Sequence, residues 1–300
     1  MTKITAHGIE ELKKQALENP EAVLVLADAL QSQSDPRGEF LALNYYLEQN
    51  NLSLEQRADY FLHRKKVYQQ FFRIESRKDR FRLQNVFYNG WFYTVDQSME
   101  LLDNRRCHTQ DQWLEWLKSD ENEDKWHLAS GHLYHASLAA LHYNQDHEDK
   151  EQQNLVQQCR AMHTQDFKED WMMTSTRIIY TPEEPDIIIP DYGSVQQQEI
   201  NLNLVGPSKF INKESKLEQE IKALLGTSDL EEVEQVYSDL TGQKPYLWGI
   251  NNKPIEENSR ALVLGVDDII NFSDNFNINA VSFVSVTRPS RGWSINSKQE

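Results

Sequence analysis

Apolar residues recur every three or four positions through the first 75 residues, a spacing that predicts successive helices. Residues 8–18 form the first of them. Pro20 suits the first turn of the next helix. Ser53 and Gln56 have the spacing of a capping box at the start of a longer one. The pattern therefore predicts an N-terminal helical bundle.

Alternating aromatic and polar residues replace this spacing after residue 80. Asn89 and Gly90 separate two such runs, which is typical of a β-hairpin. Helical spacing returns in residues 109–120 and 124–144. The polar stretches between and after these helices predict loops or helix ends.

From about residue 172 the chain contains short runs typical of strands, interrupted by helical segments near 213–225 and 228–241. The whole pattern predicts an α+β fold, with an N-terminal helical bundle followed by a mixed α/β C-terminal domain. We predict three units: a helical module at 1–105, a helical extension at 106–170 and the mixed α/β domain at 171–300.

The sequence DPRGEF, residues 35–40, lies between two apolar runs and predicts a corner between two helices. Asp35 is a favourable N-cap, and Pro36 is a favourable first helical residue. Gly38 is expected to let the helices approach closely, and Phe40 to enter the core.

Charged residues flank this corner, and we predict a hydrogen bond between Arg37 and Asp28 that sets its angle. A structural role for the corner is favoured over a ligand site, because cap and turn chemistry accounts for its composition. The predicted structural motif consists of Asp28, Asp35, Arg37, Gly38 and Glu39.

Residues 26–40 resemble the signature of the bacterial repeat-companion domain, in which L-A-D-x-L precedes D-P-R-G-E-F. The family's Trp is Ala29 here, and its Gly before Asp-Pro is Ser34. A further segment around Gly90 is similar to the Gly-Phe-Val-like stretch of that family. The resemblance implies a module that stands beside other domains, often leucine-rich repeats, and it implies no catalytic role. Leucine-rich repeat spacing is absent after residue 95, so no repeat-mediated function follows.

The chain has a formal net charge of −16, and its middle third is the most acidic. Residues 101–200 carry 8 basic and 19 acidic side chains, a net charge of −11. Such a charge disfavours non-specific binding to nucleic acid or anionic lipid and favours a basic protein partner. The predicted partner-binding residues are Glu121, Glu123, Asp124, Asp146, Glu148 and Asp149.

Hydropathy and cysteine usage indicate a cytoplasmic protein. No apolar run approaches the roughly 18 residues that a membrane-spanning helix needs. Cys107 and Cys159 are the only cysteines, which fits a reducing compartment.

Three histidines of one predicted helix, His132, His135 and His142, fall within about 80° of each other at 3.6 residues per turn. Imidazole is a common metal ligand, but the H-E-x-x-H arrangement is absent. Apolar residues share the same face, so packing through a semi-polar stripe is favoured over metal binding.

A second cluster would join Cys107 and His108 to Cys159 and His163. Structural zinc sites draw their ligands from short knuckles, and adjacent Cys-His is a poor one. Burial of the thiols is favoured instead. We therefore predict no metal and no cofactor.

Catalytic motifs for nucleophiles, phosphate loops and dinucleotides are absent. Asp267 and Asp268 follow a predicted strand, where acids can serve catalysis or bind a divalent ion. Acids at such positions more often cap a helix or face water. An enzyme with its site in the C-terminal α/β domain stays an alternative.

Residues 57–82 hold nine basic and three acidic side chains, with aromatic residues between them. Basic and aromatic residues together are typical of single-stranded nucleic-acid binding, so residues 64–82 provide a second alternative. Phe71 and Ile74 have core spacing, which favours a solvated helix face or docking of these bases against the acidic middle. The function best supported is a non-catalytic protein-interaction module, immunity-like or regulatory.

Overall fold

A computed structural model describes residues 6–19, 21–49, 52–195, 197–249, 253–266, 275–282 and 288–296. The fold is α+β, as predicted: four helices come first, and a sheet-rich region follows. Within the described ranges, no helix combines the length and the apolar character needed to cross a membrane.

The described helices are α1 (Ala6–Glu18), α2 (Ala22–Gln31), α3 (Pro36–Glu48), α4 (Leu54–Phe71), α5 (Gln110–Lys118), α6 (Gly131–Tyr143), α7 (Lys150–Glu169), α8 (Glu218–Leu225) and α9 (Leu230–Thr241), with a 3₁₀ turn at Asp103–Arg105. The described strands are β1 (Arg73–Ser76), β2 (Arg80–Tyr88), β3 (Trp91–Leu101), β4 (Met172–Tyr180), β5 (Asp186–Ile189), β6 (Ile200–Leu202), β7 (Lys209–Phe210), β8 (Pro245–Leu247), β9 (Asn258–Val266), β10 (Phe276–Ser282) and β11 (Arg291–Asn296).

Helices α2 and α3 meet at the predicted corner. The Asp35 carboxylate caps α3 by accepting a hydrogen bond from the backbone N–H of Arg37 at 3.0 Å. Gly38 is buried, and a Cβ at this position would lie 2.5 Å from the carbonyl oxygen of Ala27. The predicted close approach at Gly38 is therefore confirmed, and so is the burial of Phe40.

The guanidinium group of Arg37 binds a different acid from the one predicted. Its Nη2 donates to Asp35 Oδ2 at 2.6 Å, whereas Asp28 is exposed on α2. Asp35 already lies against the first turn of α3, so it is the acid within closest reach of Arg37. The prediction that Arg37 pairs with Asp28 was therefore wrong. Glu39 contacts His63 of α4 at 3.0 Å.

A four-stranded sheet with the order β1-β2-β3-β11 follows the helices. The predicted hairpin is confirmed as β2 and β3, and both turn residues, Asn89 and Gly90, have positive φ angles of 47° and 76°. Strand β11 pairs antiparallel with β3. The last described strand of the chain thus completes the sheet of its N-terminal part, while the predicted boundaries at 105 and 170 stay predictions.

A second sheet of seven strands has the order β6-β5-β4-β9-β10-β8-β7. Its neighbours pair antiparallel except for β10 and β8, which are parallel. Helices α5 and α6 contact β4, and α7 contacts β9, so these central strands are largely buried. Pro20, Asp267 and Asp268 lie outside the described residues.

Helix α6 is buried along nearly its whole length, as expected for a helix that is apolar on most faces. It contacts α4, β2, α8 and α9. A Cβ at its first residue, Gly131, would lie 2.3 Å from the carbonyl oxygen of Leu224, so α6 and α8 touch through their backbones. This position places α6 between the N-terminal helices and the last two helices.

Candidate functional site

A cavity of about 150 Å³, hereafter the central cavity, lies where these elements meet. Its wall is formed by α3, α4, the β2–β3 turn, α6 and the segment 225–232 that links α8 to α9. Small residues of α6 leave the space open: Ala136, Ala139 and Ala140 line the cavity at helical spacings of three and four. Gly226 lines it too, as the left-handed C-cap of α8 with φ +81°.

Buried charged groups border this space. Arg64 of α4 is 2% exposed, and its Nη2 lies 2.7 Å from Glu232 Oε2 of α9 and 3.6 Å from Asp229 Oδ2. Tyr143 donates its hydroxyl hydrogen to Glu232, and His135 Nε2 lies 3.2 Å from Glu232 Oε1. We call these five residues, Arg64, His135, Tyr143, Asp229 and Glu232, the ion cluster.

Further contacts hold the ion cluster in position. Arg64 Nη1 donates to Asn44 Oδ1 of α3 at 2.7 Å. Asp229 caps α9, where it accepts a hydrogen bond from the backbone N–H of Glu232, and it also receives Arg57 of α4 at 2.8 Å. The ion cluster therefore ties α3 and α4 to α6 and to the start of α9.

Electrostatic coupling keeps this cluster charged. Burial alone would raise the pKa of Glu232, but the Arg64 charge and the hydrogen bonds from His135 and Tyr143 outweigh it and hold that pKa well below its ordinary value. Burial likewise opposes the charge of Arg64, and Tyr143, Glu232 and Asp229 reverse the effect and raise its pKa. Glu232 and Arg64 are thus an ionised pair out of contact with bulk water.

The predicted histidine stripe is divided among three partners. His132 donates from Nε2 to the carbonyl oxygen of Ala223 at 2.9 Å, and burial lowers its pKa. His135 belongs to the ion cluster. His142 lies 3.1 Å from Asp239, and burial lowers its pKa to about 4. The part of the chain that the structure describes contains no group of three or more His, Cys, Asp or Glu side chains placed to hold a metal.

The second predicted cluster is divided as well. Cys159 and His163 are buried around Gln97, whose Nε2 lies 2.7 Å from His163 Nε2 and whose Oε1 lies 3.7 Å from Cys159 Sγ. Burial raises the pKa of the Cys159 thiol to about 12 and lowers the pKa of His163 well below its usual range. His108 instead lies 2.7 Å from Asp103, and Cys107 is exposed.

The predicted acidic binding residues fall into two groups. Asp124 forms an ion pair with Arg80 at 3.1 Å, and Asp146 forms one with Lys65 at 2.9 Å. Asp149 is the N-cap of α7. These three acids therefore have intramolecular roles, and the pairs of Asp124 and Asp146 are those expected if the basic segment docks against the acidic middle.

The other three predicted acids lie at the surface. Glu121 accepts a hydrogen bond from Trp116 Nε1 at 3.3 Å. Glu123 and Glu148 are exposed and make no ion pair or hydrogen bond with any described residue. Glu123 and Glu148 are therefore the members of the predicted set that have no intramolecular partner among the described residues.

The basic segment 64–82 gives little support for nucleic-acid binding. Tyr68, Phe72 and Phe81 are buried, so they do not form the exposed platform on which the bases of a nucleic-acid strand could stack. Arg77 and Arg82 are paired with Glu75 and Asp96, at 3.0 and 2.7 Å. Most of the positive charge of this segment is therefore used within the molecule.

Sequence reasoning did not identify the central cavity. Arg64 stood in the basic segment next to two lysines and was interpreted as part of a solvated face. Val67 and Tyr68 follow Arg64 by three and four residues, so all three lie on the same buried face of α4. This spacing is the feature of the sequence that indicates burial of Arg64. Glu232 likewise precedes the buried Val236 by four residues.

The fold and the cavity together define an α+β protein with a charged, partly enclosed cavity that is lined mainly by helices. Comparison of the chain with protein-family models, with curated proteins and with solved structures found no match.

Proposed function

We propose that the protein is a non-catalytic, cytoplasmic regulatory protein that binds a small molecule in the central cavity. The observation that carries this proposal is the presence of open space and a buried ion cluster at the same place. Pockets that combine apolar walls with a few convergent polar groups are the usual sites of small-molecule binding.

Both features cost stability. Residues around an open space lose dispersion contacts, which larger side chains than Ala136 and Ala139 would restore. A buried ion pair such as Arg64–Glu232 is often no more stable than apolar residues of similar volume. A region shaped by stability alone would have neither feature, so their coincidence supports a ligand site.

The chemistry of the ion cluster favours binding over catalysis. Oε2 of Glu232 accepts hydrogen bonds from Arg64 and Tyr143, and Oε1 accepts one from His135. Nδ1 of His135 is buried and has no hydrogen-bond partner among the described residues. A general base must reach the proton that it removes, and these groups are instead occupied or covered.

Filling the cavity tests the proposal. Ala136→Leu places a larger side chain against the open space and keeps a helix-favouring residue. A ligand at about 100 times its dissociation constant stabilises a protein by about 2.7 kcal/mol, and this gain should be lost in the variant. Melting temperatures would be measured for both proteins with a panel of small ammonium ions, carboxylates and neutral polar molecules.

Ala58→Leu is the matched control, because Ala58 is exposed on α4 and does not line the cavity. It should respond to the same compound as the wild-type protein. The proposal would be rejected if no compound stabilised the wild-type protein, or if Ala136→Leu were stabilised as much as the control.

A basic protein partner is a second proposal, and the exposed, unpaired Glu123 and Glu148 favour it. Rim charges of this kind act mainly on the rate of encounter. Of the six predicted acids, those with intramolecular partners also contribute to the stability of the fold. Neutralising the two groups should therefore affect stability differently.

Neutralisation in pairs separates these roles. Glu123→Gln with Glu148→Gln should slow association with a co-purifying partner at low salt and leave the melting temperature unchanged. Asp124→Asn with Asp146→Asn removes the same charge but breaks two exposed ion pairs, each worth about 0–1 kcal/mol. Unchanged association rates in both variants, measured by stopped flow, would argue against electrostatic steering.

A further inference from the structure

We propose that the ligand of the central cavity is a small organic ammonium ion, an inference that rests on the small-molecule function proposed above. Three features of the wall point to this class of ligand: a carboxylate that forms no ion pair with any described residue, a high share of aromatic rings, and a small volume.

The carboxylate is that of Glu48. It lines the cavity, is solvent-exposed, and accepts a hydrogen bond from Asn44 Nδ2 at 3.1 Å. Among the described residues, no Lys, Arg or His lies within ion-pair distance of it, whereas Glu232, the other carboxylate of the wall, is neutralised by Arg64. Glu48 is therefore the carboxylate of the wall with which no described cation pairs.

The position of Glu48 adds to this negative potential. It is the last residue of α3, where the helix dipole presents its negative end and where basic residues are usually favoured. The last turn of α3 has no basic residue. An acid at the C-terminal end of α3 lowers the stability of the helix. A cation bound to Glu48 would offset this cost.

Protein atoms partly desolvate the Glu48 carboxylate. Desolvation by neighbouring protein atoms raises its pKa, although Lys222 and Arg64 oppose the shift and solvent access limits it. A bound cation would stabilise the charged form of Glu48, whereas an anion would meet this carboxylate at close range.

Aromatic side chains make up much of the remaining wall. Five of them line the cavity: Phe40, Tyr68, Phe87, Tyr88 and Tyr143. Ring faces carry negative potential, and proteins bind quaternary ammonium groups with rings of this kind. Rings and one carboxylate together fit an ammonium group better than a neutral molecule.

The volume limits the size of the ligand. A cavity of about 150 Å³ in another protein accommodates a six-carbon ring. The central cavity, at about 150 Å³, therefore suits an ion of about six non-hydrogen atoms. Tetramethylammonium meets this limit, and tert-butanol is a neutral molecule of the same shape and size.

The experiment measures the binding of tetramethylammonium, tert-butanol and pivalate to the full chain by titration calorimetry. We expect saturable binding of tetramethylammonium to the wild-type protein, weakened about tenfold or more by Glu48→Gln, since an interaction with a charged group is lost. Ala136→Leu should abolish it. Glu55→Gln, which neutralises an exposed acid outside the cavity, should bind as the wild-type protein does.

Folding of each variant is checked by its melting temperature, and exposed Glu48 gives little reason for a loss of stability. Absence of tetramethylammonium binding, or equal binding to Glu48→Gln, would overturn the ammonium proposal. Binding of tert-butanol or pivalate that Ala136→Leu removes would then leave the small-molecule function standing. Failure of all three probes and of the wider panel would reject both proposals.

Discussion

Replacement of Arg64 by alanine is expected to lower the free energy of unfolding by about 3–5 kcal/mol, because it leaves buried acids without their cation. Arg64 is 2% exposed and contacts Glu232, Asp229, Tyr143 and Asn44. Without Arg64, Glu232 must either stay charged in a largely desolvated position or take up a proton. Denaturant unfolding monitored by tryptophan fluorescence would measure the loss.

Two variants show whether charge or volume causes this loss. Arg64→Met combined with Glu232→Gln removes both charges and keeps hydrogen-bonding atoms for His135 and Tyr143, so it should recover most of the stability. Arg77→Ala breaks an exposed pair and should cost at most about 1 kcal/mol. If the double variant were as unstable as Arg64→Ala, uncompensated charge would not be the cause.

Replacement of Arg291 by alanine should be similarly damaging, at about 3–5 kcal/mol. Arg291 begins β11 and is 4% exposed. Its Nε and Nη2 both bind the buried Asp166 of α7, the latter at 2.7 Å, and its Nη1 donates to the carbonyl oxygens of Ser98 and Met99. One guanidinium thus joins β11, β3 and α7, and its loss removes the hydrogen bonds that Asp166 and the two carbonyl groups receive from it.

We expect Arg291→Ala to loosen the structure around β3 and β11 more than the rest of the protein. Hydrogen exchange in Arg291→Ala should quicken first in β3 and β11, whose pairing depends on this contact. Arg291→Lys keeps the charge but not the planar fork, so an intermediate loss is expected. If exchange in β3 and β11 matched the wild-type protein while stability fell, the role assigned to Arg291 would be wrong.

Local features of the fold were predictable because they depend on residues close together in the chain. The capping box of Ser53 and Gln56 forms as expected, since each side chain reaches the backbone three residues away. The N-cap at Asp35 and the turn at Asn89 depend on equally short distances along the chain. Helix propensity and turn chemistry act over a few residues, so a single sequence is enough to predict these features.

Charge pairing was only partly predictable. The docking of the basic segment against the acidic middle is seen in Lys65–Asp146 and Arg80–Asp124. The predicted Arg37–Asp28 bond was replaced by a bond to Asp35. Opposite net charges predict that segments meet, but a particular pair depends on distances of a few ångströms.

By itself, the sequence determined the class of fold, its helix caps and its hairpin, because these follow from periodicity and from contacts within a few residues. Only the tertiary structure decided that Arg64 and Glu232, 168 residues apart, share a buried site, and that β11 returns to pair with β3. Arg64 is followed directly by Lys65 and Lys66, and its residue type alone does not mark it as buried. Burial results from the packing of α3, α4, α6 and α9 around it, and desolvation gives the ion cluster its chemistry only after those helices have come together.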